Sequence, residues 1–387
     1  MTTVDLVWFN AGGGHRAAAQ ALEQVMSGPG SPWCVRKLNL TAVLDPGGMF
    51  RRVTGIEPED VYNKRLASGF TLGLAQELKL LQGAIRLGHS ALVQRLARHW
   101  EATQPDLVVS LIPNFNRALH DALALACPGV PFVTVLTDMA DHPPAFWMEP
   151  GTAQHVVCGT AFAAQQALDA GFAPQRVHRS SGMILRPDFY APQITSAADK
   201  ARLRLDAGLD AHTPTGLVLF GGTGSRVMKP VASALRDTPL VLMCGRNEAL
   251  AAELRAMPAA APRVVVGYTP DVARWMQCAD FFIGKPGPGS LSEAVQQGLP
   301  VIVTRNAWTM PQERWNTEWV QAHGLGVVKR RFSQVGEAVQ ELVAELPRYR
   351  HNVAQMHNRA VFELPQILQG ILQAQAVAGA RVQSSLA

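Results

Sequence analysis

The sequence predicts an α/β protein made of two doubly wound domains, each built on a parallel sheet. Three observations support this prediction. Short, continuous apolar runs recur along the chain, as expected for strands buried on both faces of a parallel sheet. These runs alternate with helical stretches twice over, and glycine-rich turns directly follow three of them. The length of 387 residues is also typical of two domains rather than one.

Nine apolar runs are predicted to form strands. They are Val4–Phe9, Leu107–Leu111, Phe132–Thr137 and Val156–Cys158 in the first half, and Leu217–Phe220, Leu240–Cys244, Val264–Val266, Phe281–Ile283 and Val301–Thr304 in the second. A connecting segment with several prolines, at residues 185 to 215, separates the two sets of strands. We therefore expect an N-terminal domain of residues 1–185, a C-terminal domain of residues 186–365, and a C-terminal helix with a frayed tail at residues 366–387.

The composition excludes several classes of protein. Hydrophobic residues make up 48% of the chain and charged residues 17%, enough apolar content for two cores. The net charge is +5 and the pI about 9.1, but dense basic clusters interleaved with aromatic residues are lacking, so we expect no nucleic-acid partner. The five cysteines show no C-x-x-C spacing, which predicts reduced thiols and no metal site.

The sequence also shows no secretion or membrane-spanning signal. The N-terminus runs almost directly into an apolar strand, without a basic segment or a cleavage site before it. No run of 18 or more apolar residues follows. We expect a cytoplasmic protein whose contact with the inner face of the plasma membrane is peripheral.

The first glycine-rich motif is Asn10-Ala-Gly-Gly-Gly-His15-Arg16, which joins the first strand to the helical stretch Ala17–Val25. Successive glycines allow the backbone to approach a ligand closely. The helix behind them presents free N–H groups and a partial positive charge. Gly13 and Gly14 are therefore candidate phosphate-binding residues. The alternative is an ordinary tight turn between a strand and a helix.

Two more glycine-rich turns follow strands in the second half, at Phe220–Ser225 and Gly284–Ala294. The second turn is the stronger signal, because its glycines and Ser290 can wrap a diphosphate at a helix start, with Lys285 close by. Glu293 lies one turn into that helix, where a carboxylate can accept hydrogen bonds from the hydroxyls of a ribose. The alternative role of Glu293 is a capping-box partner of Ser290.

A fourth motif, Gln312-Glu313-Arg-Trp-Asn316, contains an amide and a carboxylate that can bind sugar hydroxyls, although it also fits a plain polar helix start. Together and in this order, the motifs resemble the GT-B glycosyltransferases of the monogalactosyldiacylglycerol synthase and processive diacylglycerol glucosyltransferase group. That group is related to the N-acetylglucosaminyltransferase that forms lipid II. The segments that extend the resemblance are Tyr62–Leu74, Thr137-Asp138, His142-Pro143, Trp147, Gly182–Pro187, Cys244–Asn247 and Gly267-Tyr268.

The resemblance implies a GT-B fold, with two Rossmann-like domains facing a cleft, and an inverting reaction. A hexose would move from UDP-Gal or UDP-Glc to a lipid acceptor, diacylglycerol. The sequence has no Asp-x-Asp motif, so we expect no metal and no other cofactor, with helix N-termini and cations stabilising the departing UDP. His15 is the first candidate for the base, since the ordinary pKa of histidine lies near 6.5, and Asp138 is the second. The alternative for His15 is a hydrogen-bond donor that takes no proton.

The resemblance also assigns residues to the donor. Glu293 would hold the ribose, Gln312 and Glu313 would hold the hexose, and Gly267 and Tyr268 would lie near the uracil. The other nucleotide-binding candidates of the second domain are Gly222, Gly224, Gly245, Asn247, Lys285, Gly287, Gly289 and Ser290.

The stretch from Phe70 to Trp100 is the predicted membrane contact. Its apolar residues fall on one helical stripe, with basic residues outside it, a pattern that suits an anionic bilayer surface but also a core-packed helix. The stripe consists of Leu74, Leu78, Leu81, Ile85, Leu92 and Leu96, and the basic residues are Lys79, Arg86, Arg95 and Arg98. Phe70, Leu72 and Leu74 are alternative lipid-facing residues.

Three other functions stay open at this level. A GT-B transferase could act on a polyprenyl-linked or soluble acceptor, a UDP-sugar 2-epimerase could use the same fold, and a nucleotide-binding module could lack activity. The sequence does not distinguish galactose from glucose, and it leaves processivity and oligomeric state open.

Overall fold

The computed structural model describes residues 1–10, 13–45, 47, 52, 74–194 and 196–386. The described residues form two compact units. One contains the residues up to Pro187 together with those from Asn358 onward, and the other contains Asp188–His357. Each unit holds a six-stranded parallel sheet with helices around it, so the predicted α/β fold class is confirmed.

All strands pair in parallel with their neighbours. The first unit contains β1 (Thr2–Trp8), β2 (Trp33–Asn39), β3 (Leu107–Ser110), β4 (Phe132–Val135), β5 (His155–Cys158) and β6 (Val177–Arg179). The second contains β7 (Gly216–Leu219), β8 (Leu240–Gly245), β9 (Arg263–Gly267), β10 (Phe281–Gly284), β11 (Val301–Thr304) and β12 (Gly326–Lys329).

The helices connect these strands. In the first unit they are α1 (Gly14–Met26), α2 (Leu40–Leu44), α3 (Leu74–Leu87), α4 (His89–Thr103), α5 (Asn116–Ala126) and α6 (Ala161–Asp169). In the second they are α7 (Ala197–Asp206), α8 (Met228–Ala234), α9 (Glu248–Ala256), α10 (Val272–Gln277), α11 (Pro288–Gln296), α12 (Pro311–Ala322), α13 (Val335–Ala344) and α14 (Leu346–Ala354). The last helix, α15 (Ala360–Leu386), belongs to the first unit.

The strand order shows where the direction of winding reverses in each sheet. The first sheet runs β2-β1-β3-β4-β5-β6 and the second β12-β11-β10-β7-β8-β9. The chain therefore changes sides between β1 and β3 in the first sheet and between β7 and β10 in the second. In open α/β sheets, ligands bind at such switch points, outside the carboxyl ends of the strands.

Burial on both faces explains the continuous apolar strands. In β1, Val4, Leu6 and Val7 are fully buried. Asp5, which interrupts this run, is also buried, and its carboxylate accepts hydrogen bonds from Trp100 Nε1 at 3.1 Å and Arg36 Nε at 2.6 Å. A buried charge is tolerated when it is paired and hydrogen-bonded in this way.

The chain returns to the first unit at its C-terminal end, whereas the sequence analysis assigned residues up to 365 to the second domain. Asn358 Nδ2 donates to the carbonyl of Met183 at 2.9 Å, and the amide of Arg359 donates to Ser181 Oγ at 2.7 Å. The amide of Ser181 donates in turn to Glu363 at 2.8 Å. These bonds attach the start of α15 to the turn that follows β6.

The predicted amphipathic stretch is two helices rather than one, because α3 ends at Leu87 and Gly88 is the N-cap of α4. Leu96 is buried in the core, so this part of the stripe follows the alternative of a core-packed helix. The largest exposed apolar side chains here are Leu80, which is 74% exposed, and Leu87, which is 93% exposed, and neither belongs to the stripe. Residues 62–73 and the side chains of residues 74–78 lie outside the described residues.

The cysteines and the length of the helices can also be compared with the sequence. All five cysteines are free thiols, four of them buried and Cys34 exposed. Across the part of the chain that the structure describes, no helix has both the length and the apolar character needed to cross a membrane.

Candidate active site

The site residues of the first unit lie at its switch point. Gly13 is the N-cap of α1, and its φ of 82° is a left-handed conformation that favours glycine. Gly14 and His15 open the helix, so the free N–H groups of its first turn point out beyond the carboxyl end of β1. The anion-binding role of Gly13 and Gly14 would use these N–H groups, and it stays a prediction.

His15 contacts the strand on the other side of the switch point. Its Nδ1 atom lies 2.7 Å from the carbonyl oxygen of Leu111, just after β3, and 3.1 Å from Thr137 Oγ1. A carbonyl oxygen can only accept a hydrogen bond, so Nδ1 must carry the proton and Nε2 holds the lone pair. No described residue bonds to Nε2. The imidazole is thus held in the tautomer that a general base requires.

The surroundings of His15 also keep it neutral. Its ring centroid lies 5.0 Å from that of Phe9 and 5.9 Å from that of Trp147. Burial among these rings lowers the pKa of His15 to about 4, although the hydrogen bond to Leu111 opposes this shift. The pKa is therefore lower than the value near 6.5 assumed from the sequence, and Nε2 is unprotonated at neutral pH.

Asp138 and Asp141 lie in the loop that follows β4. Asp138 is 9% exposed, and its Oδ2 atom accepts a hydrogen bond from Trp147 Nε1 at 3.0 Å. Asp141 accepts hydrogen bonds from the backbone amides of residues 145–147, at 2.7 to 3.1 Å. Burial raises the pKa of Asp141 to about 6 even though these amides oppose the shift. Asp141 therefore holds the loop that carries Trp147, whose indole contacts both His15 and Asp138.

In the second unit, the loops after β7 and β8 lie directly against each other. A Cβ atom added at Gly245, whose φ is 57°, would come within 2.1 Å of the carbonyl oxygen of Gly222. Gly224 also has a positive φ of 61°, and its added Cβ would lie 2.9 Å from a methyl group of Leu250. The amide of Arg246 donates to Gly222 at 3.1 Å. Glycine is thus required at Gly245 and Gly224 by the backbone, independently of any ligand.

Asn247 has a local structural role. Its Oδ1 atom caps α9 by accepting from the amide of Leu250 at 3.0 Å, and its Nδ2 atom donates to the carbonyl of Thr223 at 3.3 Å. Tyr268 follows Gly267 at the end of β9 and is 62% exposed. The guanidinium of Arg246 lies 4.7 Å from the centre of its ring, a cation–π contact.

The strongest sequence motif forms the start of α11, after β10 and beside the switch point. Gly287 is the N-cap and Pro288 the first helical residue, so the amides of Gly289 and Ser290 have no partner within the helix. Added Cβ atoms at Gly289 and Gly222 would meet nothing within 4 Å, so both positions border open space. Because the helix begins at Pro288, Ser290 is not its N-cap, and the capping-box role for Glu293 is wrong. Glu293 is half-buried in the second turn.

Lys285, just before this helix start, pairs with Glu313. Lys285 Nζ lies 2.7 Å from Glu313 Oε1, and the Glu313 side chain is only 5% exposed. One turn further along α12, Asn316 is fully buried, and its Nδ2 atom donates to the carbonyl of Pro286 at 2.7 Å. Asn316 therefore supports the loop before α11. Gln312 is half-buried, and its Nε2 atom lies 3.7 Å from Met310 Sδ.

The structure thus brings the predicted residues into local groups. His15 and Asp138 both contact Trp147, and Lys285, Gly287 and Glu313 lie together. The sequence analysis missed the carbonyl of Leu111 and the side chain of Asp141. Among the described residues, no group of three or more His, Cys, Asp or Glu side chains is arranged to hold a metal ion.

Two Rossmann-type sheets, each with a glycine-rich loop and a helix N-terminus at its switch point, define the chain as a GT-B protein. No family model matches the sequence. The chain is 30% identical to a probable monogalactosyldiacylglycerol synthase 2 of Oryza sativa subsp. indica over 285 residues, which cover 67% of this chain and 57% of the relative. It is 25% identical to the monogalactosyldiacylglycerol synthase of Spinacia oleracea over 369 residues, 87% of this chain and 65% of the relative.

Solved structures agree on the fold. MurG of Acinetobacter baumannii matches with a TM-score of 0.58 at 13% identity, covering 96% of this chain and all of that one. A UDP-GlcNAc 2-epimerase of Neisseria meningitidis bound to UDP-GlcNAc matches with a TM-score of 0.58 at 13% identity, over 95% and 100% of the two chains. The chain is a GT-B protein related to the monogalactosyldiacylglycerol synthases, as the motifs predicted. It spans less than two thirds of the length of the two synthases above, both of which are named chloroplastic.

Proposed function

We propose that the protein is an inverting glycosyltransferase that moves a hexose from UDP-Gal or UDP-Glc to the hydroxyl of a lipid acceptor, diacylglycerol. One observation carries this proposal. The hydrogen bond from His15 Nδ1 to Leu111 leaves a neutral Nε2 lone pair beside a helix N-terminus, which is what a base for an acceptor hydroxyl requires. The relatives named monogalactosyldiacylglycerol synthases support the hexose and the lipid.

In the proposed reaction, Nε2 of His15 takes the proton of the acceptor hydroxyl. The hydroxyl oxygen forms a bond to the anomeric carbon as the bond from that carbon to the UDP oxygen breaks, and UDP leaves with the electron pair. The Leu111 carbonyl, which accepts from Nδ1, stabilises the resulting imidazolium. The first turn of α11 and the ammonium of Lys285 offset the charge of the diphosphate, so the proposed transfer uses no metal ion.

The acceptor is proposed to reach the protein from an anionic membrane surface at the inner face of the plasma membrane, with the protein cytoplasmic and peripherally bound. On α3, the exposed Leu80 and Leu87 lie seven residues apart and therefore share a helix face. Lys79 and Arg86, one position earlier in each case, are exposed beside them. Two exposed leucines flanked by basic residues suit the boundary between acyl chains and anionic headgroups.

The test is release of UDP from UDP-Gal and from UDP-Glc, each mixed with liposomes that contain diacylglycerol. We expect turnover with at least one donor, dependent on diacylglycerol and retained in EDTA. His15→Ala should lower kcat at least about 100-fold. His212→Ala, which removes an exposed imidazole in the other unit, is the matched control and should change nothing. Equal rates for the two variants would refute the assignment of His15. Release of UDP with inversion at C2, in the absence of any acceptor, would point to epimerase chemistry instead.

Asp138 is the competing candidate for the base. Asp138→Asn keeps an oxygen that can accept from Trp147 Nε1 but removes the charge and most of the basicity. If His15 is the base and Asp138 orients the acceptor, kcat should fall about 10-fold in this variant and the pH profile should keep its shape. A loss as large as that of His15→Ala, with the acidic limb of the profile abolished, would transfer the role to Asp138.

A further inference from the structure

Glu313 and Lys285 form an ion pair inside the donor site, and the inference drawn from this pair rests on the proposed function. The proposed function gives the diphosphate to Lys285 and the start of α11, and the family resemblance implies that Glu313 holds the hexose. Yet Lys285 Nζ and Glu313 Oε1 are 2.7 Å apart, and the carboxylate is almost completely buried. The two groups assigned to different parts of the donor therefore neutralise each other.

The Glu313 carboxylate also lies beside the anion-binding end of α11. A Cβ atom added at Gly287, the N-cap, would be 3.3 Å from Glu313 Oε1 and 3.6 Å from Lys285 Nζ. Glu313 is thus near both the cation and the positive end of the helix dipole, two features that favour a negative charge. A diphosphate bound at the same helix start would meet this carboxylate as a like charge.

We infer that Glu313 competes with the diphosphate of the donor for Lys285. Binding of the diphosphate draws Lys285 away from Glu313, and the carboxylate released from the pair then accepts hydrogen bonds from the hydroxyls of the hexose. Recognition of the sugar therefore depends on prior capture of the diphosphate. Asn316 keeps the loop in place during this exchange, because its bond to the Pro286 carbonyl does not involve either charged group.

The competition predicts that a substitution inside the site strengthens the binding of UDP. Glu313→Gln has nearly the same shape, removes the competing charge and should bind UDP about 10-fold more tightly than the wild type. UDP carries no hexose, so lost sugar contacts do not enter this measurement. With a UDP-hexose, the same variant should show a lower kcat, because an amide accepts hydroxyl hydrogen bonds less strongly than a carboxylate.

Isothermal titration calorimetry with UDP on the full chain tests this inference. Glu318→Gln is the matched control, because it removes an exposed carboxylate of the same helix, paired with Arg305 at 2.6 Å, and should leave the Kd unchanged. Lys285→Met should weaken UDP binding about 10-fold. Glu313→Gln should increase the affinity for UDP less in the Lys285→Met background than in the wild type. If Glu313→Gln does not fold, Glu313→Asp, whose shorter side chain loosens the pair, should also tighten binding.

The outcomes separate this inference from the proposed function. Tighter binding of UDP by Glu313→Gln supports the exchange. A Kd equal to or weaker than that of the wild type, in a variant with an unchanged melting temperature, overturns the exchange and leaves the glycosyltransferase proposal standing. A wild-type protein that binds no UDP overturns the glycosyltransferase proposal itself.

Discussion

The imidazole of His15 donates through Nδ1 to the carbonyl oxygen of Leu111, across the switch point between β1 and β3 in the first sheet. The two residues are 96 positions apart in the chain, and the bond joins the helix after β1 to the end of β3. Because the acceptor is a backbone carbonyl, the bond that fixes this tautomer does not use the side chain of residue 111.

The low pKa of His15 predicts the pH dependence of catalysis. Burial lowers this pKa to about 4, so the neutral base is fully available at pH 6 and is lost only as the pH falls toward 4. The acidic limb of kcat/KM should therefore lie well below the ordinary value of 6.5. Initial rates of UDP release in buffers from pH 4 to 8, at constant ionic strength, measure this. An acidic limb centred at or above pH 6.5 would contradict the assignment of His15 as the base.

Substitution by alanine should have different effects on stability and UDP binding at two glycines of the second unit. Gly289→Ala places a methyl group in open space at the start of α11, so we expect unchanged or slightly raised thermal stability but at least about 10-fold weaker UDP binding. Gly245→Ala forces its methyl group against the carbonyl of Gly222 and strains a positive φ, so it should lower the free energy of unfolding by about 1–3 kcal/mol. Melting curves with and without UDP compare the two. Normal UDP affinity in Gly289→Ala would exclude a diphosphate at this helix start.

The three strands that were missed lie at sheet edges, where only β9 was predicted. The nine continuous apolar runs all appear as strands, but β2, β6 and β12 were not predicted. Each of the three is an edge strand, with a neighbour on one side only. An edge strand meets solvent, so polar residues such as Lys37 in β2 and Arg179 in β6 interrupt the apolar pattern on which the prediction relied.

The candidate site was predictable where it depends on local sequence. A glycine-rich turn between a strand and a helix must lie at the carboxyl end of that strand, so the loops at Gly13, Gly222 and Gly287 were placed correctly from the sequence. Contacts between distant segments carry no such signal. The bond of His15 to Leu111 and the pairing of Lys285 with Glu313 both depend on how the strands are ordered in the sheet.

The capping-box interpretation failed for a different reason, because it ignored a signal that was present. Proline is favoured at the first position of a helix, and Pro288 occupies that position in α11. The helix therefore starts before Ser290, whose amide has no partner within the helix.

A pair of histidines at the other edge of the first sheet should make stability depend on pH. His155 Nδ1 lies 3.0 Å from His178 Nε2, and burial lowers the pKa of both, that of His155 to about 4. An unfolded histidine takes up its proton near pH 6.5, so between pH 6.5 and 4 the unfolded state binds more protons. The stability gained by keeping these imidazoles neutral is present above pH 6.5 and is lost as the pH falls toward 4.

Replacement of one histidine should therefore flatten this dependence. We expect His155→Gln to lose about 1–2 kcal/mol less stability than the wild type between pH 7 and 5, a figure reduced for the partial exposure of the side chain. Urea unfolding followed by circular dichroism at both pH values measures the difference. His351→Gln, which replaces an exposed histidine, should behave like the wild type. Parallel losses in all three proteins would show that the pair does not contribute.

The largest single loss of stability is expected at Asp280, in the second unit. This carboxylate is 5% exposed, and it accepts from the guanidinium groups of Arg204 and Arg350, from Lys200 Nζ at 3.0 Å and from the amide of Thr215 at 2.9 Å. Burial alone would raise its pKa, but Lys200, the Thr215 amide and Arg204 together lower it. Asp280 is therefore charged at neutral pH and balances three cations in a confined space.

Asp280→Asn keeps the shape but leaves those cations facing one another without a counter-charge, and an unpaired buried charge is costly. We expect the free energy of unfolding to fall by about 3–5 kcal/mol, measured by urea unfolding at pH 7. Asp237→Asn is the control, because Asp237 is 3.9 Å from Arg236 and both side chains are largely exposed, so its removal should cost less than about 0.5 kcal/mol. Similar losses for the two variants would mean that Lys200, Arg204 and Arg350 find other partners when the carboxylate is removed, and that the cluster is not what attaches α7 and α14 to the start of β10.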